Sequence, residues 1–183
     1  MFSPHSVARW TAMSLLVAVL AGTPAVFAQA PKEPADVNKL LMDARTESAQ
    51  LKTDAVDMKT YTMTRLSWQT HAAQIDRIKG HANEVGMLVF KLNNARGVAA
   101  PWQQEAIDRI NPLLNELVGS LNGTIDHFSQ VSFELQMSPY RDYVAANATL
   151  ASNLAKLISD FVDYGESKAK ANDFERQLNI PVS

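Results

Sequence analysis

The feature that most constrains the fold is an unbroken series of mainly apolar positions between residues 68 and 92, spaced alternately three and four residues apart. Because an α-helix turns once every 3.6 residues, this spacing places all of them on one face. The members of the series are Trp68, His71, Ile75, Ile78, Ala82, Val85, Val89 and Leu92. Such regularity predicts a long helix that is packed along its whole length, in the manner of a coiled coil.

Stripes of the same kind run through three other segments, and no run of alternating β-branched residues predicts a strand. The predicted helices span about 35–58, 68–94, 101–137 and 139–178. The stripe of the first helix is Val37, Leu40, Ala44, Ser48, Leu51, Ala55 and Met58. That of the third helix is Ile107, Ile110, Leu114, Leu117, Leu121, Thr124, Phe128, Val131 and Leu135. That of the fourth helix is Tyr143, Asn147, Leu150, Leu154, Leu157, Phe161 and Tyr164.

Capping residues and prolines mark the ends of these helices. Ser67 and Ser138 are expected to be N-caps, because a serine hydroxyl accepts a bond from a free first-turn amide. Pro101 suits a first turn, and Gly97 suits a C-terminal cap at positive φ. Pro112 lies inside the third helix, where its ring predicts a kink. The stripe keeps its phase across it, which argues against a break.

The short connections between these helices predict the topology. A link of a few residues returns the chain beside the helix that it has just left. The expected fold is therefore all-α, an antiparallel up-down-up-down four-helix bundle with long helices, over residues 35–178. A disordered lead over 29–34 and a tail over 179–183 flank it.

The first 28 residues are typical of a secretory signal peptide: Arg9 precedes an apolar run, and cleavage is expected after Ala28. An uncleaved membrane anchor is the alternative. Cleavage after Ala28 would leave a mature chain that is exported, periplasmic or extracellular, with no membrane span. The chain has no cysteine, which excludes a disulfide framework and thiolate metal sites. Its 17 basic and 19 acidic residues are evenly spread, which argues against a nucleic-acid partner.

Four polar residues are predicted to meet inside the bundle. His71 and Asn147 occupy stripe positions at nearly the same height, and Thr124 and His127 fall within about one turn of them. One interpretation is a buried polar layer that fixes the register of the helices. The other is a site for a small ligand, or a pH-sensitive joint, because imidazole titrates near neutral pH.

Motifs for catalysis or for a cofactor are missing from the sequence. Neither Glu-x-x-His nor His-Glu-x-x-His occurs, and no Gly-x-Ser-x-Gly turn or glycine-rich phosphate loop is found. His81 and Glu84 are three residues apart, but two ligands do not close a metal site. Haem bundles of the cytochrome type that hold haem non-covalently resemble this chain in class only. Such bundles need a methionine near the start of the first helix and a histidine in the last. Met42 is present, but the fourth helix has no histidine. We assign no cofactor, metal or catalytic residue and expect a protein that is not an enzyme.

A tryptophan-led phrase is used twice, as "SWQTHAAQIDRI" at 67–78 and "PWQQEAIDRI" at 101–110. In the expected bundle, Trp68 and Trp102 begin helices that run in opposite directions, so about 40 Å separates them. They cannot share one pocket, and each is better interpreted as an aromatic plug at one end of the bundle.

Two surfaces depart from a simple bundle pattern. Met87 and Phe90 project away from the stripe of the second helix, and a row of small residues follows the side of the fourth helix opposite its leucines. That row is Ala145, Ala148, Ser152, Ala155 and Ser159. The leading hypothesis is binding through these surfaces, by self-association or to another protein. The alternatives are that the alanines simply favour helix, and that the protein carries a small ligand, metal or haem in its polar layer.

Overall fold

A computed structural model describes residues 35–130, 135 and 137–178. Four α-helices packed against each other account for most of this part of the chain, which contains no strand, so the expected all-α, four-helix class is confirmed. The helices are α1 (Ala35–Tyr61), α2 (Trp68–Ala95), α3 (Pro101–Gln130) and α4 (Tyr140–Leu178), with a 3₁₀ turn at Arg96–Val98. The predicted signal peptide, the lead over 29–34 and the tail over 179–183 lie outside the described residues.

The starts of α2 and α3 follow from local chemistry. Ser67 caps α2, because its hydroxyl accepts a hydrogen bond from the Thr70 amide at 3.3 Å. At α3, Pro101 occupies the first turn, and the side-chain oxygen of Gln103 accepts the Ala100 amide at 2.7 Å. The side chain of Gln103, the third residue of the helix, thus reaches back and satisfies the Ala100 backbone amide, which has no acceptor within the helix.

Two capping predictions were wrong. No described glycine has a positive φ, and Gly97 lies within the 3₁₀ turn, because the chain stays right-handed after Arg96 and becomes extended only at Ala99. Before α4, the hydroxyl of Ser138 donates to the Asp142 carboxylate and does not accept an amide. The Pro139 carbonyl is the acceptor for the first turn of α4, which therefore begins at Tyr140.

The third helix ends before Leu135, earlier than expected. It continues through Pro112 without interruption and is described as helix over Pro101–Gln130, whereas Leu135 lies in a turn. Residues 131–134 and 136, predicted as helix, are not among those described. The stripe of α3 is buried as predicted from Ile107 to Thr124.

The fourth helix is rotated about its axis relative to the prediction. Its buried residues are Tyr140, Val144, Asn147, Ala148, Ala151, Leu154, Ala155, Ile158 and Val162. At 100° per residue, the centre of this set lies roughly midway between the predicted leucine stripe and the row of small residues. Of the predicted stripe, Asn147 and Leu154 are buried, whereas Tyr143 and Tyr164 are exposed. A similar small shift on α1 buries Leu41 in place of Leu40.

The rotation has a packing cause, because α4 lies between α1 and α3 and uses both flanks. On the leucine flank, the Phe161 ring lies 5.4 Å from the Arg109 guanidinium of α3. On the other flank, Asp163 and Glu166 pair with Arg45 of α1 at 3.2 and 3.3 Å. A helix with two neighbours buries the face between the directions to them, so neither predicted stripe is the centre of its core face.

The small-residue row is therefore not an outer face. Ala148 and Ala155 are buried, and Ala145, Ser152 and Ser159 are half-buried, on the flank of α4 that carries the acidic partners of Arg45. Small side chains on this flank let the α1 backbone approach closely, which explains the row without any second molecule. Among the described helices, none is long and apolar enough to cross a lipid bilayer.

Gly165 is a position where α4 must lack a side chain. A Cβ built there would lie 2.5 Å from Cη2 of Trp102, whose ring also contacts Tyr164 at 5.6 Å between centroids. We expect Gly165→Ala to lower the free energy of unfolding by about 1–2 kcal/mol, since the indole must move out of a packed position. Urea denaturation followed by circular dichroism measures this.

Gly80 and Gly86 are matched controls for that substitution, because each lies within α2 and a Cβ there would meet no atom within 4 Å. Alanine at either position is expected to raise stability by about 0.5–1 kcal/mol through helix propensity. If Gly165→Ala raised stability by the same amount as these controls, the steric role of Trp102 would be disproved.

Candidate functional site

The core of one bundle end contains a histidine–tyrosine pair. His71 on α2 and Tyr140 on α4 are both almost fully buried, and Nδ1 of His71 lies 3.1 Å from the Tyr140 hydroxyl. His71 is placed there by the stripe of α2, one turn after the Ser67 cap. Tyr140 is the first residue of α4. The hydrogen bond gives both buried polar groups a partner, as burial requires.

Aromatic rings surround this pair. Tyr61, at the end of α1, contacts the His71 ring edge-on with centroids 6.3 Å apart. His127 and Phe128, near the end of α3, lie 6.4 and 5.9 Å from the Tyr140 ring. All four helices therefore contribute to one cluster of rings, with a single hydrogen-bonded pair at its centre.

A second polar pair lies deeper in the bundle. Nδ2 of Asn147 on α4 donates to Oγ1 of Thr124 on α3 at 2.7 Å, and that hydroxyl donates to the Ser120 carbonyl at 3.0 Å. Both Asn147 and Thr124 are buried. Oδ1 of Asn147 has no hydrogen-bond partner, although it is fully enclosed. An enclosed amide oxygen without a donor costs free energy that a bound water or ligand would recover.

The predicted polar residues thus form two pairs where one layer was expected. His71 belongs to the first pair, and Thr124 and Asn147 form the second. Tyr140 and Asn147 are seven residues apart on α4, which is about 10 Å along the axis. His127 is half-buried beside Tyr140 and Tyr143 and has no hydrogen bond within the second pair.

Tyr140 is the functional candidate that sequence reasoning missed. The stripe chosen for the fourth helix began at Tyr143, three residues later, because the helix was phased on its leucines. The available signal was the position of Tyr140 directly after Pro139, where a helix begins.

Burial keeps both members of the first pair uncharged. Desolvation lowers the pKa of His71 below its usual 6.5, because the protonated imidazolium is poorly solvated in the core. Desolvation likewise raises the pKa of Tyr140 far above its usual 10. Near neutral pH the pair is a neutral imidazole beside a neutral phenol. This arrangement suits hydrogen bonding more than charge stabilisation.

Other polar side chains link α1 to α2. Gln74 on α2 donates to the Asp54 carbonyl at 2.9 Å. His81 faces two carboxylates of α1, with Nδ1 3.0 Å from Glu47 and Nε2 3.5 Å from Asp54. These contacts occupy the His81 ring. Within the described chain, no group of three or more histidine and carboxylate side chains is arranged to hold a metal ion.

The outer face of α2 carries the exposed apolar residues that the sequence singled out. Met87 is 51% exposed and Phe90 is 67% exposed. Met87 also borders a surface groove of about 290 Å³ between α1 and α2, lined by Asp43, Thr46, Glu47, Glu84, Met87, Leu88 and Lys91. The groove therefore combines an apolar rim with charges of both signs.

The depressed pKa of His71 predicts a pH-dependent stability. Above pH 6.5 the imidazole is neutral in both folded and unfolded chains, so the pair stabilises fully. Below pH 6.5 the unfolded chain binds a proton that the folded chain excludes. We expect the free energy of unfolding to fall between pH 7 and 5, by at most about 1.4 kcal/mol per pH unit for this one proton.

Urea denaturation at stepped pH measures this slope in the wild type and in His71→Gln. The variant is expected to lose part of the slope, whatever the substitution costs at pH 7.5. Equal slopes in the two proteins would show that His71 is not protected from protonation.

The unpaired oxygen of Asn147 makes a second prediction. Thr124→Val alone leaves the buried Asn147 amide without its acceptor and should cost about 1–3 kcal/mol. Adding Asn147→Leu, which has the same branching, removes the remaining polar atoms and should restore most of that loss. Thermal and urea unfolding measure both. A double variant less stable than Thr124→Val would mean that the amide has another partner, such as an enclosed water.

Comparisons of the chain with protein families, with curated proteins and with solved structures found no match. The fold and its two buried polar pairs are therefore interpreted from the chemistry of this chain itself.

Proposed function

We propose that this protein acts by binding and not by catalysis, and that it self-associates through the outer face of α2. The observation that carries the proposal is the exposure of Met87, which lines the groove between α1 and α2, and of Phe90, three residues later on α2. Exposing two large apolar side chains to water costs free energy. A surface that covered them would recover about 25 cal/mol per Å² of apolar area buried.

The charges around this face favour a second copy as the occupant. Glu84 and Lys91 line the same groove, seven residues apart on α2. In a two-fold contact, each surface meets itself turned around, so Lys91 of one copy can oppose Glu84 of the other. A face with only one sign of charge would repel its own copy. In the second form of the proposal, the outer face of α2 binds a different protein that carries the same pattern of charges.

We further propose that the helices follow one another in antiparallel order. Two contacts between α1 and α2 support this. Glu47 of α1 meets His81 of α2. Asp54, seven residues further along α1, meets Gln74, which is seven residues further back along α2. Contacts of α4 with α1 and α3 fit the same order: Arg45 pairs with Asp163, and the end of α3 meets Tyr140.

Export of the protein is part of the same proposal. Residues 1–28 have the composition of a signal peptide, and cleavage after Ala28 would release a chain that is periplasmic or extracellular. The absence of cysteine means that such a domain must be stabilised by its core alone, and buried apolar residues run through all four helices.

A second candidate function is transport of a small ligand. It is favoured by the enclosed Oδ1 of Asn147, which has no donor in the protein. A small molecule with one N–H or O–H group could provide that donor between α3 and α4. Tyr140 lies about two turns before Asn147 on α4, and with its partner His71 of α2 it would form one end of such a site.

Sedimentation of the mature chain, residues 29–183, tests self-association. We expect a concentration-dependent dimer in the micromolar range, and at least a tenfold weaker dimer for the pair Met87→Ser and Phe90→Ser. The pair Met42→Ser and Phe174→Ser is the matched control, because these residues are of the same types and are also exposed. The control is expected to dimerise like the wild type.

A chain that stays monomeric throughout this range, or a dimer that survives the Met87 and Phe90 substitutions, would refute self-association through α2. Native mass spectrometry of protein isolated from its own source tests the carrier function separately. A bound small molecule that is lost in Asn147→Leu would support it.

A further inference from the structure

We propose that oxidation of Met87 to its sulfoxide separates two associated copies of the chain, so that a peroxide controls self-association through one side chain. The inference rests on the proposed self-association through the outer face of α2. It adds a modification site to that face, and it names the class of reagent that acts there.

Methionine provides all the sulfur chemistry of this chain, because the chain has no cysteine. Of the described methionines, Met58 is buried in the core, whereas Met42, Met63, Met87 and Met137 are exposed. Oxidation turns a flexible apolar methionine into a polar sulfoxide, and it requires access to the sulfur. A peroxide therefore reaches the surface methionines of the folded chain and leaves the core methionine intact.

Met87 is the exposed methionine that lies on the self-association face. It is 51% exposed and lines the groove between α1 and α2, three residues before Phe90. Met42 lies on α1 and does not line this groove, and Met63 and Met137 lie outside the helices. Only oxidation at Met87 changes one of the two apolar side chains that carry the proposed contact.

The reaction needs a peroxide and no other reagent. The thioether sulfur of Met87 attacks one oxygen of hydrogen peroxide, the O–O bond breaks, and an S–O bond forms. The sulfur loses two electrons, and the second peroxide oxygen leaves as water after a proton transfer. The sulfoxide product is polar, and its oxygen accepts hydrogen bonds but cannot donate them.

The side chains that line the groove offer this oxygen no free donor. Thr46 and Lys91 are the two that can donate. The Thr46 hydroxyl donates to the Met42 carbonyl at 3.2 Å. Lys91 is the side chain that the proposed two-fold contact pairs with Glu84 of the other copy. A sulfoxide covered by that contact would keep an unpaired oxygen, which opposes its burial.

The other charged groups of the groove also act against a sulfoxide. They are the carboxylates of Asp43, Glu47 and Glu84. An ionised carboxylate only accepts hydrogen bonds, and it repels the partial negative charge on a sulfoxide oxygen. The thioether of reduced Met87 is apolar and needs no hydrogen bond. The groove therefore accommodates reduced Met87 and disfavours the oxidised form.

Association and oxidation exclude each other at this position. A second copy that covers Met87 shields its sulfur, so the peroxide acts on free chains. A micromolar dimer exchanges with free chains, and their oxidation removes them from the equilibrium. The fold is retained, because Met87 is half-exposed and the core of the bundle does not depend on it.

Sedimentation of residues 29–183, before and after treatment with hydrogen peroxide, tests the proposal. We expect the oxidised chain to dimerise at least tenfold more weakly, because a polar group then lies at the centre of the contact. Treatment with methionine sulfoxide reductases should restore the dimer. Peptide mass spectrometry identifies the oxidised methionines, and circular dichroism checks that the helices persist.

Single substitutions assign the effect to Met87. Met87→Leu keeps an apolar side chain of similar size, so its dimer should match the wild type within about threefold and should survive the peroxide. Met87→Gln places a polar group at the same position and should weaken the dimer about tenfold without any oxidant. Met42→Leu is the matched control, since Met42 is 48% exposed but does not line the groove. Its dimer should be lost on oxidation, as in the wild type.

The rate of oxidation is a second readout. With peroxide in excess, Met87 should be oxidised more slowly as the protein concentration rises through the range in which the dimer forms. Oxidation of Met42 should proceed at the same rate throughout, because the proposed contact does not cover it.

The outcomes separate this inference from the proposed function. A reduced wild type that stays monomeric would refute self-association and the inference together. A dimer that forms normally and persists with Met87 fully oxidised would overturn the inference alone. Loss of the Met87→Leu dimer on oxidation would also overturn it alone, because another methionine would then be responsible, and so would loss of the helices in the oxidised wild type.

Discussion

Burial of long apolar stripes is the constraint on which this structure depends. The chain has no cysteine, so no disulfide reduces the entropy of its unfolded state. Stability must come from the apolar side chains that run along all four helices. Every polar group placed on these stripes then needs a partner inside the core. This requirement explains why His71 meets Tyr140 and why Gln74 meets Asp54.

The fold class and three of the four core faces followed from the sequence. The stripe of α2 was predicted almost residue by residue, and Ser67 caps it as expected. Such regular spacing leaves only one face to bury. The sequence also identified His71, Thr124 and Asn147 as buried polar residues, since a polar residue in an otherwise apolar stripe has no alternative position.

The orientation of α4 could not be read from its sequence. Leucines lie on one flank, alanines and serines on another, and the buried face runs between them. Hydrophobic periodicity measures the average direction of large side chains, whereas burial is decided by where the neighbouring helices lie. Tyr140 was missed for this reason, and with it the partner of His71. The Gly165–Trp102 contact was equally hidden, because it joins residues 63 positions apart.

The position of α1 between α2 and α4 has a consequence for synthesis of the chain. Arg45 meets Asp163 and Glu166, which follow it by 118 and 121 residues, so one flank of the first helix is covered only by the last. Contacts this distant in sequence form late, because the intervening chain must first be closed. A nascent chain of this protein therefore exposes apolar surface until its final helix has left the ribosome, and such open chains are the ones that chaperones recognise.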